Sequence, residues 1–145
     1  MSVDVFETTL QKTHEWLKDL MKLLGWTDEK KAYLALKGTL QALRDRLSVE
    51  VSAKLSAQLP MLVRGFYYEG WKPSIMPVKV KTTEEFLDFV AFHFNSLALV
   101  QYSDVEKIVR AVFQVVTQHV SKGEIEHIRQ VLPLPIAALW PSSEG

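Results

Sequence analysis

Four histidines, His14, His93, His119 and His127, are the side chains here best suited to hold a metal or move a proton near neutral pH. Their spacing does not gather them: no HxxxH or HExxH occurs, and each falls on a different predicted helix. Glu124 and His127, at i and i+3, do share a helical face, the Glu-x-x-His element of carboxylate-bridged di-iron bundles. Such centres need two copies of the element and two further glutamates. The positions related to Glu124 and His127 by the internal repeat described below are Val51 and Lys54. No metal site and no cofactor are therefore expected. No Gly-x-Ser-x-Gly elbow is present, and the scattered glycines form neither GxGxxG nor GxxxxGK[ST], so nucleophilic catalysis and phosphate cradling lack their usual supports.

The most unusual stretch runs Arg64-Gly65-Phe66-Tyr67-Tyr68-Glu69-Gly70-Trp71-Lys72-Pro73, with four aromatics, two glycines and three charges in ten positions. Tyr and Trp bury large areas yet keep a polar tip, which suits a binding surface. Arg64, Tyr67, Tyr68, Glu69 and Trp71 are accordingly the candidate binding residues. The competing and preferred reading is that Tyr67 and Trp71 fold back onto the core. A small-ligand pocket lined by Phe92, Phe94, Tyr67 and Trp71, oriented by Arg64 or Glu69, is the alternative to a partner surface. An enzyme is the weakest reading and rests only on Arg64, Tyr67, Tyr68, Glu69 and His93 meeting in space; no catalytic residue is assigned.

The elements that must position these groups are all helical. From Asp4 to Leu24 the apolar residues Phe6, Leu10, Leu17, Leu20, Met21 and Leu24 recur at three and four residues, and Gly25 ends the pattern. Thr27 or Asp28 caps a second helix with the stripe Ala32, Leu36, Leu40, Leu43 and Leu47; Ser48 caps a third, and Pro60 opens a short fourth. Residues 70–81 read as an extended connection. Thr82 with Glu85 forms a capping box before Phe86, Phe89, Val90 and Phe94, and Ser103 with Glu106 and Ser121 with Glu124 repeat the device. The β-branched stretch Val105 to Val120 is assigned to helix, because its apolar residues keep helical spacing over more than a strand's usual length.

A shift of 73 residues lays Leu36, Leu40, Leu43, Leu47, Ser48, Leu55, Leu59 and Pro60 on Val109, Phe113, Val116, Val120, Ser121, Ile128, Leu132 and Pro133 without a gap. It also lays Trp16 on Phe89 and Tyr67 on Trp140. The reading is one all-α domain over residues 1–145, made of two pseudo-repeats of about three to four helices, residues 4–69 and 82–140, packed so that they share a core. With the block from Ala57 to Pro77 (AQLPMLVRGFYYEGWKPSIMP), the segment TTEEFLDFV from Thr82 and the close SKGEIEHIRQVLP from Ser121, this chain resembles DUF2267, a bacterial family of unknown function. The resemblance covers nearly the whole chain. It implies an all-helical fold and brings no established activity, cofactor or catalytic residue.

Seventeen basic and seventeen acidic residues cancel, so no global field favours nucleic acid or an anionic membrane. Lys30, Lys31, Lys37, Arg44, Arg46, Lys72, Lys79 and Lys81 are interleaved with Asp28, Glu29 and Asp45 and read as a solvated helix face, so no nucleic-acid partner is expected. No window reaches a membrane span and no signal-peptide run opens the chain. With no cysteine, a cytoplasmic location is expected. The expectation is a non-catalytic interaction or scaffold module that uses the Tyr67–Pro73 surface or an exposed aromatic face to bind a protein partner or its own copy, and the 48% of apolar residues favour a homodimer.

Overall fold

The computed structural model describes residues 3–94 and 101–142, so residues 95–100 of the expected second repeat lie outside the described residues. Among the described residues are eight helices and no strand: α1 (Asp4–Leu24), α2 (Glu29–Arg46), α3 (Val49–Ser56), α4 (Met61–Tyr68), α5 (Thr83–His93), α6 (Val105–His119), α7 (Lys122–Val131) and α8 (Leu134–Ala137). None of them is long and apolar enough to cross a membrane.

The helix boundaries follow from local chemistry. Gly25 ends α1 in the left-handed conformation, at φ 69°, which a residue with a Cβ rarely adopts. Asp28 caps α2 by accepting from the Lys31 N–H, and Ser48 caps α3 by accepting from the Val51 N–H. At α5 the capping box is complete: Thr82 accepts from the Glu85 N–H, and the Glu85 carboxylate accepts from the N–H groups of Lys81 and Thr82. Those backbone donors hold the Glu85 carboxyl below its ordinary pKa.

Two of the expected boxes differ. Residues 102–104 form a 3-10 turn and α6 starts after Asp104, which is in a helical conformation (φ −89°, ψ −11°) and caps nothing with its side chain. Ser103 therefore precedes the position where a hydroxyl could reach the helix donors. At α7, Ser121 does accept from the Glu124 N–H, but the Ser121 N–H donates to Oε1 of Gln58 at 2.7 Å instead of to Glu124. A side chain from the end of α3 has taken the place of the local partner.

The longer helices pack across one another. α1 packs on both α2 and α6, α5 packs on both α2 and α6, and α2 and α6 meet in the middle. Leu36, Leu40, Leu43, Val109, Val112, Phe113 and Val116 are fully buried at that junction. Ser48 and Ser121 each cap the helix that follows with their side chains, and Pro60 and Pro133 precede α4 and α8 with φ −54° and −53°. The stripes expected to be inward are so with four exceptions, one of them Met21 of α1, which is half-buried. Phe89 is only half-buried, and Phe6 and Leu10 in the first turns of α1 remain 60% and 50% exposed.

α2 and α5 approach closely because Gly38 has no side chain. A Cβ there would lie 2.5 Å from Cδ1 and 2.7 Å from Cε1 of Phe94, and 3.3 Å from the His93 carbonyl oxygen. Gly38→Ala gains roughly 1 kcal/mol of helix propensity but overpacks a sealed contact, which costs roughly 1–3 kcal/mol. Because the His93 oxygen is backbone and cannot swing aside, the expected net result is a loss of roughly 1 kcal/mol, read from the urea midpoint. A midpoint that rises would show that Phe94 has room to turn away.

Candidate functional site

The aromatic junction is held by two side chains of α2. Helix α4 ends at Tyr68 with carbonyls that no helical N–H can reach. Nη1 of Arg44 donates to the carbonyls of Tyr67 and Glu69, both at 2.9 Å, and Nε2 of Gln41 donates to those of Phe66 at 2.8 Å and Glu69 at 3.4 Å. A cation at a helix C-terminus also meets the negative end of the helix dipole. Gly70, at φ 77°, then turns the chain, and the Trp71 N–H donates back to the Tyr68 carbonyl.

Arg44 is only 2% exposed, and its Nε donates to Oδ1 of Asp45 at 2.7 Å. The other Asp45 oxygen lies 3.4 Å from Nε2 of His93. Burial pushes the Asp45 carboxyl up, but hydrogen bonding and charge from His93 and Arg44 outweigh it and hold it below the ordinary carboxylate value. Ser52 donates to the Arg44 carbonyl, the Asp45 carbonyl accepts from the Val78 N–H, and Nε of Arg46 donates to the Val80 carbonyl. The C-terminal end of α2 thus clamps α4 on one side and the connection 70–81 on the other. Arg44 and Asp45, expected on a solvated face, are buried instead, because these carbonyls and His93 satisfy them.

Each candidate residue can be placed on this frame. Tyr67 is fully buried, and its hydroxyl donates to the Ser52 carbonyl at 3.1 Å; desolvation holds its pKa far above the usual tyrosine value. Tyr68 is half-buried, and its hydroxyl donates to Oγ of Ser56 at 2.6 Å. Arg64 donates to the carbonyls of Ser56 and Leu59 and so closes the end of α3. Trp71 is half-buried against Tyr68, with ring centroids 5.0 Å apart, and its Nε1 is shielded without an acceptor. Glu69 is exposed, pairs with Lys37 at 3.1 Å and thereby raises the Lys37 pKa.

The pocket expected from Phe92, Phe94, Tyr67 and Trp71 is not assembled. Tyr67 and Phe94 are sealed in the core, whereas Phe92 is 73% exposed. Arg64, Tyr67 and Tyr68 spend their polar atoms on Ser52, Ser56 and Leu59 at the end of α3, whereas His93 faces Asp45 at 3.4 Å.

A groove of about 610 Å³ lies elsewhere, between α1, α2 and α4. Leu10, Leu17, Tyr33, Leu62 and Phe66 supply apolar wall, and His14, paired with Glu29 at 3.1 Å, Lys30 and Glu69 supply polar rim. Of the candidate residues only Glu69 reaches it. Sequence periodicity could not reveal this groove, since its walls come from three helices whose separation is set by packing. The one available signal was the apolar stripe of α1, which runs two turns further than the core requires.

The histidines stay apart. His119 stacks on Trp16, with centroids 4.8 Å apart, and its Nε2 lies 2.8 Å from Asp19. Among the described residues no group of three or more His, Asp or Glu is gathered that could hold a metal ion.

No protein of curated function matches the chain. The family model described as "Uncharacterized conserved protein (DUF2267)" matches residues 13–139. Reaching from within α1 to beyond α8, that match establishes that the chain belongs to the DUF2267 family.

Proposed function

We propose that this chain is a non-catalytic helical interaction module that pairs with a second copy of itself in the cytoplasm, through the face formed by α1 and α4. The supporting observation is a ridge and a groove side by side. Phe6 and Leu10, one turn apart on α1, and Met61 and Leu62 at the start of α4 are each at least 44% exposed. The two helix starts are tied together, since the Leu62 N–H donates to Oγ1 of Thr9 at 2.9 Å. The ridge continues into the groove through Leu10, which belongs to both.

A twofold axis beside such a face seats each ridge in the other copy's groove, the closed arrangement that isologous dimers adopt. The absence of cysteine supports the cytoplasmic assignment.

Light scattering coupled to size exclusion tests this directly. The expected mass at about 100 μM is that of a dimer, and Phe6→Asp with Leu10→Glu is expected to give a monomer with an unchanged helical spectrum, since both side chains leave the core untouched. A monomeric wild-type chain at that concentration would remove the proposal. A small apolar ligand is the second reading, favoured by the groove's volume, which lies within the range of small-molecule sites. It predicts a monomer whose apolar-dye binding is abolished by Leu62→Trp.

A further inference from the structure

Gly65 stands in the middle of α4, on the outward face that carries Met61 one turn before it. Glycine is the poorest helix former short of proline, so an exposed helical position gains stability when alanine replaces it. Gly65 has neither of the reasons that hold glycine elsewhere in this chain. Its φ is not positive, as those of Gly25 and Gly70 are, and a Cβ on it would meet nothing within 4 Å, whereas one on Gly38 would strike Phe94. The 73-residue shift lays Ala138 on Gly65, and Ala138 is also exposed with helical backbone angles. Neither its own conformation nor a neighbour among the described residues calls for the missing side chain.

The bare position leaves the α4 backbone open to the groove between α1, α2 and α4, whose lining Gly65 joins. Tyr33 and Phe66 line the same groove, edge to face with ring centroids 5.3 Å apart. A third ring laid on the glycine would complete an aromatic cluster. The ridge beside the groove carries such a ring in Phe6, which is 60% exposed.

We infer, resting on the pairing proposed above, that Gly65 is the contact that admits the second copy, the Phe6 ring of each chain lying against the α4 backbone of the other at Gly65. Without a Cβ the backbone can be approached closely. A methyl group there holds the ring away and opens a gap too small for water, which forfeits dispersion contacts around the seat. The glycine thus trades helix stability for association. Twofold symmetry makes the contact twice, so one substitution is felt at both places.

Two quantities measured on the same substitution should move in opposite directions. In Gly65→Ala the dimer dissociation constant, from sedimentation equilibrium, is expected to rise about tenfold or more, since two contacts become overpacked. In the background Phe6→Asp with Leu10→Glu, where the chain is expected to be monomeric, the same change should raise the urea midpoint, because helix propensity alone then acts. Phe6→Ala completes a double-mutant cycle. With that ring gone, Gly65→Ala should weaken pairing by no more than about twofold further. A Gly65→Ala dimer as tight as the wild type, a lowered urea midpoint, or full additivity with Phe6→Ala would each overturn the inference and leave the dimer itself standing. A wild-type chain that stays monomeric would instead remove the pairing and this contact with it.

Discussion

Phe113→Ala is expected to lower the free energy of unfolding by about 3–5 kcal/mol, much of the net stability of a domain this size. Phe113 is fully buried in the middle of α6, its ring stacked on Trp140 at 4.1 Å and 10°, with Phe86 at 6.1 Å. Deleting the ring removes contacts with α5 and with the segment after α8 at once, and the helices around it are anchored elsewhere and cannot close the void. Leu40→Ala, at the corresponding position of α2, should cost about 2–5 kcal/mol for the same reason. Urea denaturation followed by far-UV circular dichroism measures both. If both changes were nearly neutral, the α2–α6 junction would not be the centre of the core.

Asp45→Asn is expected to be comparably damaging, at about 3–5 kcal/mol near neutral pH, because it leaves the Arg44 guanidinium buried without a counter-charge. Replacing Arg44 by an apolar residue together with Asp45 does not rescue the fold, since Arg44 also satisfies the carbonyls at the end of α4. The pH dependence separates charge from shape. The Asp45 pKa is lower in the folded chain than its ordinary value of about 3.9 in an unfolded one. Its contribution is therefore complete above that unfolded value and is lost as pH falls through the folded one. The gap in urea midpoint between wild type and Asp45→Asn should accordingly narrow as pH falls below about 4. A gap of constant size down to the acid limit would mean that asparagine disturbs packing rather than charge.

Helix identity was legible because apolar spacing and caps are local properties. The stripe from Asp4 to Leu24 became α1 with those limits, and the Val- and Ile-rich stretch from Val105 became α6 despite its β-branched residues. Periodicity reports which side chains share a face, however, and not what that face meets. At 1.5 Å per residue α1 is about 31 Å long, while α6 beneath it is about 22 Å. The first turns of α1 therefore overhang, and Phe6 and Leu10, indistinguishable in the pattern from Leu17 and Leu20, are left exposed. That overhang, together with α4, makes one side of the groove.

The polar residues show the same division. Arg44 and Asp45 sit among lysines and acids in the sequence and look like any solvated pair, yet both are buried. Their partners are carbonyls at Tyr67 and Glu69 and the imidazole of His93, more than twenty positions away. Ser103 fails as a cap because a 3-10 turn precedes α6, and Ser121 finds Gln58 from the other half of the chain.

What the sequence alone determined is the all-helical class, the positions of most helices and the residues that form the inner faces of α2 and α6, since these depend on interactions within a few turns. Only the tertiary structure decided that the aromatic junction is clamped rather than free, and that open surface lies instead at the α1–α4 face. Those outcomes depend on helix lengths, crossing positions and carbonyls brought together from distant parts of the chain, which no short-range pattern encodes.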